Sequence, residues 1–342
     1  MKLQEFDYHL PVELIAQTPA DKRDHSRLLV YSAGQIEHRN FFNLSDYLQA
    51  GDVLVLNDSK VFPARLLGRR QGTGGKVEIF LLQNKDHGQW ECLVGHARAQ
   101  VGLVVDFECG LHATLQAKLA DSWLVQFNKE AEELMEIINK IGETPLPPYI
   151  KTMDGPQVRQ RYQTVYAQPV GSVAAPTAGF HFTSELLNKL KKQNVQIEYV
   201  TLHVGLGTFA PVKTDRIEDH QMHSEYYEVA DETWHSIQKA KKENRRIIAV
   251  GTTATRVLES VASSNKLSGW TDIFIYPGYK YKIVDSLITN FHLPKSTLLM
   301  LVSALLDNRG SVDGIVELKR IYQEAINNHY RFYSFGDAML II

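Results

Sequence analysis

The chain has 342 residues, 44% hydrophobic and 22% charged, with a formal net charge of -2, a length that admits a large core and two domains of ordinary size. No stretch approaches the roughly 20 apolar residues of a membrane span, and the N-terminal segment carries Glu5, Asp7 and Glu13 without the apolar centre of a secretory signal, so a soluble cytoplasmic protein is expected. Cys92 and Cys109 lack C-x-x-C spacing and are expected to stay reduced and structural.

Charge is unevenly placed along the chain. Across residues 60–85, Lys60, Arg65, Arg69, Arg70, Lys76 and Lys85 stand against Glu78 alone. Such a patch is the electrostatic half of a nucleic-acid site, and equally a solvated turn with charged flanks. Asp58 and Arg65, in "NDSKVFPARL", bracket the start of the next region as a charge pair that either positions a ligand or pins a hinge.

From Gly75 to about Phe127, short runs rich in Val, Ile, Leu and Phe alternate with turn signals, which predicts about five strands in a small antiparallel barrel or sandwich. "KEAEELMEIINKIG" then has helical periodicity, and Pro145, Pro147 and Pro148 mark a stiff exit linker. Beyond it strands and helices alternate, which predicts a parallel or mixed sheet covered by helices. "FTSELLNKLKKQNV" reads as a helix capped by Thr183, with Leu186, Leu187 and Leu190 on one face, and "QIEYVTLHV" as a strand. Asp231 is expected to cap the helix "DETWHSIQKAKKENR". "RIIAV" is a strand that runs through a Gly-Thr-Thr turn into a further helix, and "TDIFIYPGY" repeats strand and turn. "LPKSTLLMLVSALL" is expected to place Pro294 near its first helical position and to be buried.

Four segments in this half end in small or polar residues: 171–183, 203–209, 251–253 and 289–297. In open α/β sheets, ligands gather where loops leave the carboxyl ends of the strands, and Gly allows close backbone approach. "GLGTFAP" has Pro211 where a dinucleotide fingerprint needs a helix and a third Gly, and "GTGGKVE" lacks Walker spacing. His220 and His223, near Glu218, Asp219 and Glu225, are ligand types for a divalent metal, but no third ligand is identifiable and H-E-x-x-H is absent. No metal site is therefore expected, and these residues read as the polar lining of a pocket. His181, His203 and His292 each occupy a candidate loop, and histidine is the side chain best suited to moving protons near neutral pH.

Taken together, "NDSKVFPARL", "GGKVEIFLL", "GSVAAPTAGFHFT", "LHVGLGTFAPV", "EDHQMHSEYYEV", "AVGTTATRVLES", "DIFIYPGYKYKIVDSLITNFHLPKSTLLMLVSAL" and "YRFYSFGDAML" resemble the S-adenosylmethionine:tRNA ribosyltransferase-isomerase family of the queuosine pathway. The resemblance runs end to end, with two departures: Ala210 stands where relatives often carry a longer polar side chain, and residues 305–320 are idiosyncratic. It implies an α/β fold, with a large mixed α/β domain, barrel-like or open-sheet, over residues 1–62 and 149–342, and an inserted small antiparallel β-barrel domain over 63–148.

The reaction implied takes the ribosyl moiety of S-adenosylmethionine to 7-aminomethyl-7-deazaguanine at the tRNA wobble position, giving epoxyqueuosine, adenine and methionine. The cosubstrate is consumed as a sugar donor, with no true cofactor. Such chemistry needs a base of near-neutral pKa close to the sulfur, a donor for adenine and hydrogen bonds for a transient alkoxide. His181 or His203 is expected as the base, with His223 as a further catalytic candidate. The pocket is expected to be walled by residues 174–182, including Ala174, Ala175, Pro176, Thr177 and Gly179, and by Gly205, Gly207 and Thr208. Thr252 and Thr253, at a helix N-terminus, would hold the methionine carboxylate. Asn290, His292 and Lys295 would bind the sugar or a tRNA phosphate. Arg65, Arg69, Arg70 and Lys76, with Asp58, are the candidate tRNA contacts, and a monomer is expected.

Overall fold

The computed structural model describes residues 1–147, 149–151, 155–205, 207, 211–310 and 313–342. Thr208 and Ala210 of the expected pocket, and Pro148 of the linker, lie outside the described residues.

In chain order, β1 (Arg27–Ser32), β2 (Gln35–Asn40), β3 (Val53–Asn57) and the short β4 (Lys60–Val61) lead into the insert, made of β5 (Arg65–Arg70), β6 (Lys76–Asn84), β7 (Gln89–Gly95), β8 (Val104–Asp106), β9 (His112–Lys118), β10 (Trp123–Phe127) and α1 (Ala131–Ile141). The chain returns through α2 (Pro156–Arg161), β11 (Val170–Ser172), α3 (Ser184–Lys192), β12 (Gln196–Leu202), β13 (Glu225–Glu228) and α4 (Asp231–Lys242). It ends in β14 (Ile247–Val250), α5 (Gly251–Ser264), β15 (Ser268–Thr271), β16 (Ser286–Asn290), α6 (Thr297–Asn308), α7 (Gly314–Asn327) and β17 (Ala338–Ile341).

The large sheet is open and mixed, with nine strands in the order β15-β13-β12-β3-β14-β16-β17-β1-β2. Its apolar runs are explained by burial on both faces: Val53, Val55, Ile247 and Ala249 turn to one core, and Leu54, Leu56, Ile248 and Val250 to the other. This period-2 division is what a strand sandwiched between two layers requires. Burying each Val or Leu side chain contributes about 1.5–3 kcal/mol. The first core is sealed by the buried faces of α4, α5, α6 and α7, and the second by Leu186, Leu187 and Leu190 of α3. Thr183 caps α3 as expected, accepting from the Leu186 amide at 3.1 Å.

Strands β5 to β10 close into an antiparallel barrel in the order β10-β7-β6-β5-β8-β9. Its strands begin earlier than Gly75, because the basic stretch 65–70 is itself the first barrel strand, alternating Leu66 inward with Leu67 and Arg69 outward. Four further local expectations are corrected. Ala230, not Asp231, is the N-cap of α4, and Asp231 is the first helical residue. Pro294 precedes α6 by three residues, and Ser296 caps it, accepting from the Leu299 amide. The strand near "TDIFIY" is instead β15, ending at Thr271; beyond it the Ile273 carbonyl accepts from Arg256 rather than from a neighbouring strand. No separate turn precedes α5, since Gly251 (φ 85) opens the helix directly after β14.

Candidate functional site

Strands β12, β3, β14 and β16 run parallel, so their carboxyl ends share one edge of the sheet. β17 is antiparallel to β16 and β1 parallel to β17, so the starts of both lie at that same edge. The described parts of the four glycine-rich or polar segments therefore converge. The Val173 amide donates to the Val204 carbonyl at 3.0 Å, joining the first two. Thr177 Oγ1 donates to Asn290 Oδ1 at 3.0 Å, joining the first to the fourth. A Cβ on Gly251 would lie 3.5 Å from Ala178 Cβ, which places the start of α5 under the short helix Thr177–His181. β4 and β11 pair at this edge too, so the barrel leaves and rejoins the sheet beside the site; Val173 packs into the barrel core.

His181 sits at the centre of this convergence and is buried. The Ser26 hydroxyl donates to the Arg23 carbonyl at 3.2 Å and stands 2.7 Å from His181 Nδ1, so Nδ1 is the ring donor. Nε2 then accepts from Asn290 Nδ2 at 3.1 Å. The ring stacks on Phe41 at 5.0 Å. Burial, with the Arg331 and Arg23 guanidiniums nearby, pushes its pKa down to about 3. This imidazole is neutral, and both of its nitrogens are engaged.

His203 is held differently. Its amide donates to the Tyr226 carbonyl at 2.9 Å and its ring stacks on Tyr226 at 6.1 Å. Nδ1 is buried with no hydrogen-bond partner among the described residues. Gly171 passes directly against the ring, where a Cβ would come 2.6 Å from Cε1 and Nδ1. Burial lowers its pKa and Glu228 opposes that shift, which leaves a neutral imidazole able to accept a proton. His223, which is exposed, packs against Gly207, where a Cβ would meet His223 Cβ at 2.5 Å. His220 lies beside it, its pKa lowered by burial and then by His223. Among the described residues no three His, Cys, Asp or Glu side chains gather as a metal site.

Gly207, His220 and His223 line a cleft, about 480 Å³ including its open mouth, that also holds a feature sequence reasoning missed, a buried ion pair between Glu225 and Arg256. Glu225 Oε1 also accepts from the Gly205 amide at 2.8 Å, so the pair fixes the path of the glycine segment. The one available signal was an Arg inside "GTTATRVL", one helical turn after Thr252 and on the same face. Thr252 and Thr253 are buried in the first turn of α5, and Thr253 Oγ1 has no partner among the described residues.

Not every expected residue joins the convergence. His292 is enclosed: its ring meets Thr289 at 2.9 Å, its amide donates to Tyr322, and its carbonyl accepts from Tyr8. Burial pushes its pKa down to about 3. Lys295 is tied to the N-terminal segment through Asp7 at 2.9 Å. Asp58 accepts from Thr201 at 2.7 Å, with its pKa raised by burial, and Arg65 pairs with Glu78 at 2.7 Å and Glu143 at 3.9 Å. These two residues are thus held by different partners, and Arg65 joins the barrel to the chain that leaves it. Arg69 and Lys76 face each other across the β5–β6 hairpin, with Arg70 adjacent and Asp106 across from Arg69 on β8.

The chain matches the family described as queuosine biosynthesis protein over residues 3–341. It is 52% identical over 350 residues to an S-adenosylmethionine:tRNA ribosyltransferase-isomerase of Carboxydothermus hydrogenoformans, covering all of both chains. It is 51% identical over 351 residues to a protein of the same name from Desulfitobacterium hafniense, again over all of both chains. Among solved structures, the S-adenosylmethionine tRNA ribosyltransferase of Thermotoga maritima is 37% identical, with a TM-score of 0.56 over 99% of this chain and 100% of that one.

Proposed function

The chain belongs to the queuosine biosynthesis protein family, and on that premise we propose that it is an S-adenosylmethionine:tRNA ribosyltransferase-isomerase, transferring and isomerising the ribosyl moiety of S-adenosylmethionine onto 7-aminomethyl-7-deazaguanine in tRNA. The observation that carries this reading is end-to-end identity of about half to two relatives of that name. The gathering of the 171–183, 203–205, 251–253 and 289–290 segments, with Gly207, at one sheet edge supports it, since a nucleoside and a tRNA base must meet on backbone that leaves room for both. The enzyme works in the cytoplasm as a monomer, with S-adenosylmethionine consumed and no separate cofactor.

The sulfonium acidifies the ribose 5′-carbon, so removal of that proton begins the sequence, with opening of the sugar ring and expulsion of adenine. The aminomethyl nitrogen of the tRNA base then adds to the vinyl sulfonium. Closure onto the aldehyde yields an alkoxide that displaces methionine and forms the epoxide. His203 is assigned as the first base, because its imidazole is neutral and only partly enclosed, whereas both His181 nitrogens are occupied. His181 acts as a positioning residue that holds Asn290 and, through it, Thr177. The first-turn amides of α5, with Thr252 and Thr253, suit the methionine carboxylate. Glu225 and Arg256 hold Gly205 beside the sugar.

The direct test is adenine release from S-adenosylmethionine in the presence of tRNA carrying 7-aminomethyl-7-deazaguanine. Release that depends on this tRNA, with epoxyqueuosine formed in equal amount, is the expected result. Binding of the tRNA without adenine release means a non-catalytic tRNA-binding protein.

A further inference from the structure

A second pocket lies at the same sheet edge, beside the starts of β1 and β17 and on the outer side of His181. Its walls carry three guanidiniums from distant parts of the chain: Arg23, Arg161 at the end of α2, and Arg331. Each is held by neutral backbone oxygens. Arg23 donates to the carbonyls of Phe180 at 3.2 Å and Gln160 at 3.1 Å, Arg161 to those of Ala20 and Asp21, and Arg331 to that of Thr18 at 3.2 Å.

Carbonyls orient a guanidinium without cancelling its charge, and an arginine has five N–H donors, so each fork keeps donors to offer. Among the described residues, the one carboxylate in contact is Asp337, 3.5 Å from Arg331 Nη2, whose oxygens already accept from the Arg27 and Arg331 amides. Of the other acids nearby, Asp24 lies 3.4 Å from the Thr183 hydroxyl and Asp21 is exposed. Among the described residues, three fixed positive charges against one shared negative charge make a preorganised oxyanion site. The remaining wall is aromatic: Phe180 and Phe335 stack at 6.1 Å, with Arg23 5.8 Å over the Phe180 ring. These rings are buried against each other and Tyr162, so they brace the guanidiniums and leave the arginine donors as the recognition element.

We propose that Arg23, Arg161 and Arg331 form a binding site for a backbone phosphate of the tRNA substrate, on the α/β domain and separate from the Arg69–Lys76 hairpin of the barrel. The proposal rests on the reading that the chain acts on tRNA. The site shares His181 with the convergence of loops, so a phosphate held there delivers the adjoining nucleotide to that edge.

The test measures tRNA affinity across a salt series for the wild-type enzyme, Arg161→Gln and Arg331→Gln, with S-adenosylmethionine affinity measured separately without tRNA. Each variant is expected to lose roughly tenfold in tRNA affinity, as for one charge-assisted hydrogen bond. The slope of log affinity on log salt is expected to fall by about 0.7–0.9 for each phosphate that is no longer neutralised. Arg161→Lys and Arg331→Lys, which keep the charge, recover the slope. Folded glutamine variants with wild-type tRNA affinity and slope overturn the proposal alone. Loss of S-adenosylmethionine affinity with tRNA binding intact also overturns it, because the anion held is then the cosubstrate's carboxylate. A wild-type enzyme that binds no tRNA overturns the functional reading together with the proposal. If the glutamine variants do not fold, amide hydrogen exchange of the wild-type enzyme decides: saturating tRNA slows exchange in residues 18–24 and 334–336, and unchanged exchange there refutes the site.

Discussion

Arg256, in the second turn of α5, places its guanidinium against the carboxylate of Glu225 at the start of β13, and both side chains are more than nine-tenths buried. Neither stands alone, since Glu225 also accepts from Gly205 and Arg256 donates to the Ile273 and Thr271 carbonyls at 3.4 Å. Removing one partner leaves a buried charge uncompensated, at a cost of about 3–5 kcal/mol. Arg256→Met and Glu225→Gln are each expected to lower unfolding free energy by that amount. Replacing both is expected to recover much of the stability and none of the turnover. Urea unfolding alongside adenine release separates the two effects; a double variant with normal turnover would show that the pair serves the fold alone.

The two histidines predict opposite outcomes. His203→Ala is expected to keep its fold and to slow single-turnover adenine release by about 100-fold or more, the usual contribution of a general base. His181→Ala leaves Ser26 and Asn290 short of a buried partner, at about 1–3 kcal/mol each, so its first effect is on the unfolding midpoint. A folded, inactive His181→Ala beside a near-normal His203→Ala reverses the assignment of the base.

Acid should destabilise the protein through the buried histidines. His181 and His292 have folded pKa values lowered to about 3 from an ordinary 6.5, both chiefly by burial. Below the unfolded value the unfolded chain binds protons that the folded one refuses. The stabilising contribution is therefore full above about pH 6.5 and is lost as pH falls towards about 3. Each histidine adds a slope of about 1.4 kcal/mol per pH unit within that window. Unfolding free energies measured between pH 7 and 4 check this, and His292→Gln is expected to remove one of the two slopes.

Gly171→Ala puts a methyl group 2.6 Å from the His203 ring. Displacing the ring is expected to cost about 1–3 kcal/mol of stability, in the range of overpacking, and to reduce turnover far more than tRNA affinity. Steady-state kinetics with modified tRNA distinguishes this from general unfolding.

On the barrel, Arg69→Ala with Lys76→Ala is expected to weaken tRNA binding and to reduce its salt slope by about 0.7–0.9 per phosphate. Arg65→Ala instead breaks the ties to Glu78 and Glu143, and is expected to loosen the barrel's attachment with little change in slope. Anisotropy titrations at several salt concentrations, paired with thermal unfolding, read both.

Much of the architecture was legible because it depends on local pattern. Alternation along β6, with Val77, Ile79 and Leu81 inward, marks a barrel strand whatever its neighbours are. The Thr183 cap followed by Leu186, Leu187 and Leu190 marks α3 in the same way. The errors fall where tertiary contacts override pattern. "TDIFIY" has the composition of a strand, but Arg256 takes the Ile273 carbonyl that a ladder would need. "RLLGRR" reads as a charged turn until a barrel closes around its alternate residues.

By itself the sequence determined the family, the alternation of strands and helices in the α/β part, the β-rich insert and the segments at which small residues leave the backbone bare. These follow from short-range periodicity and from long motifs, which a linear chain displays in full. Only the tertiary structure decided what each histidine can do. His181 meets Ser26 across 155 residues and Asn290 across 109, and those two partners, rather than its neighbours in "AGFHF", make it a neutral anchor. The same holds for Arg256 with Glu225 and for the three arginines around the second pocket. Protonation state and charge compensation are set by burial and by which groups a fold brings within hydrogen-bond reach, and neither is a property of position along the chain.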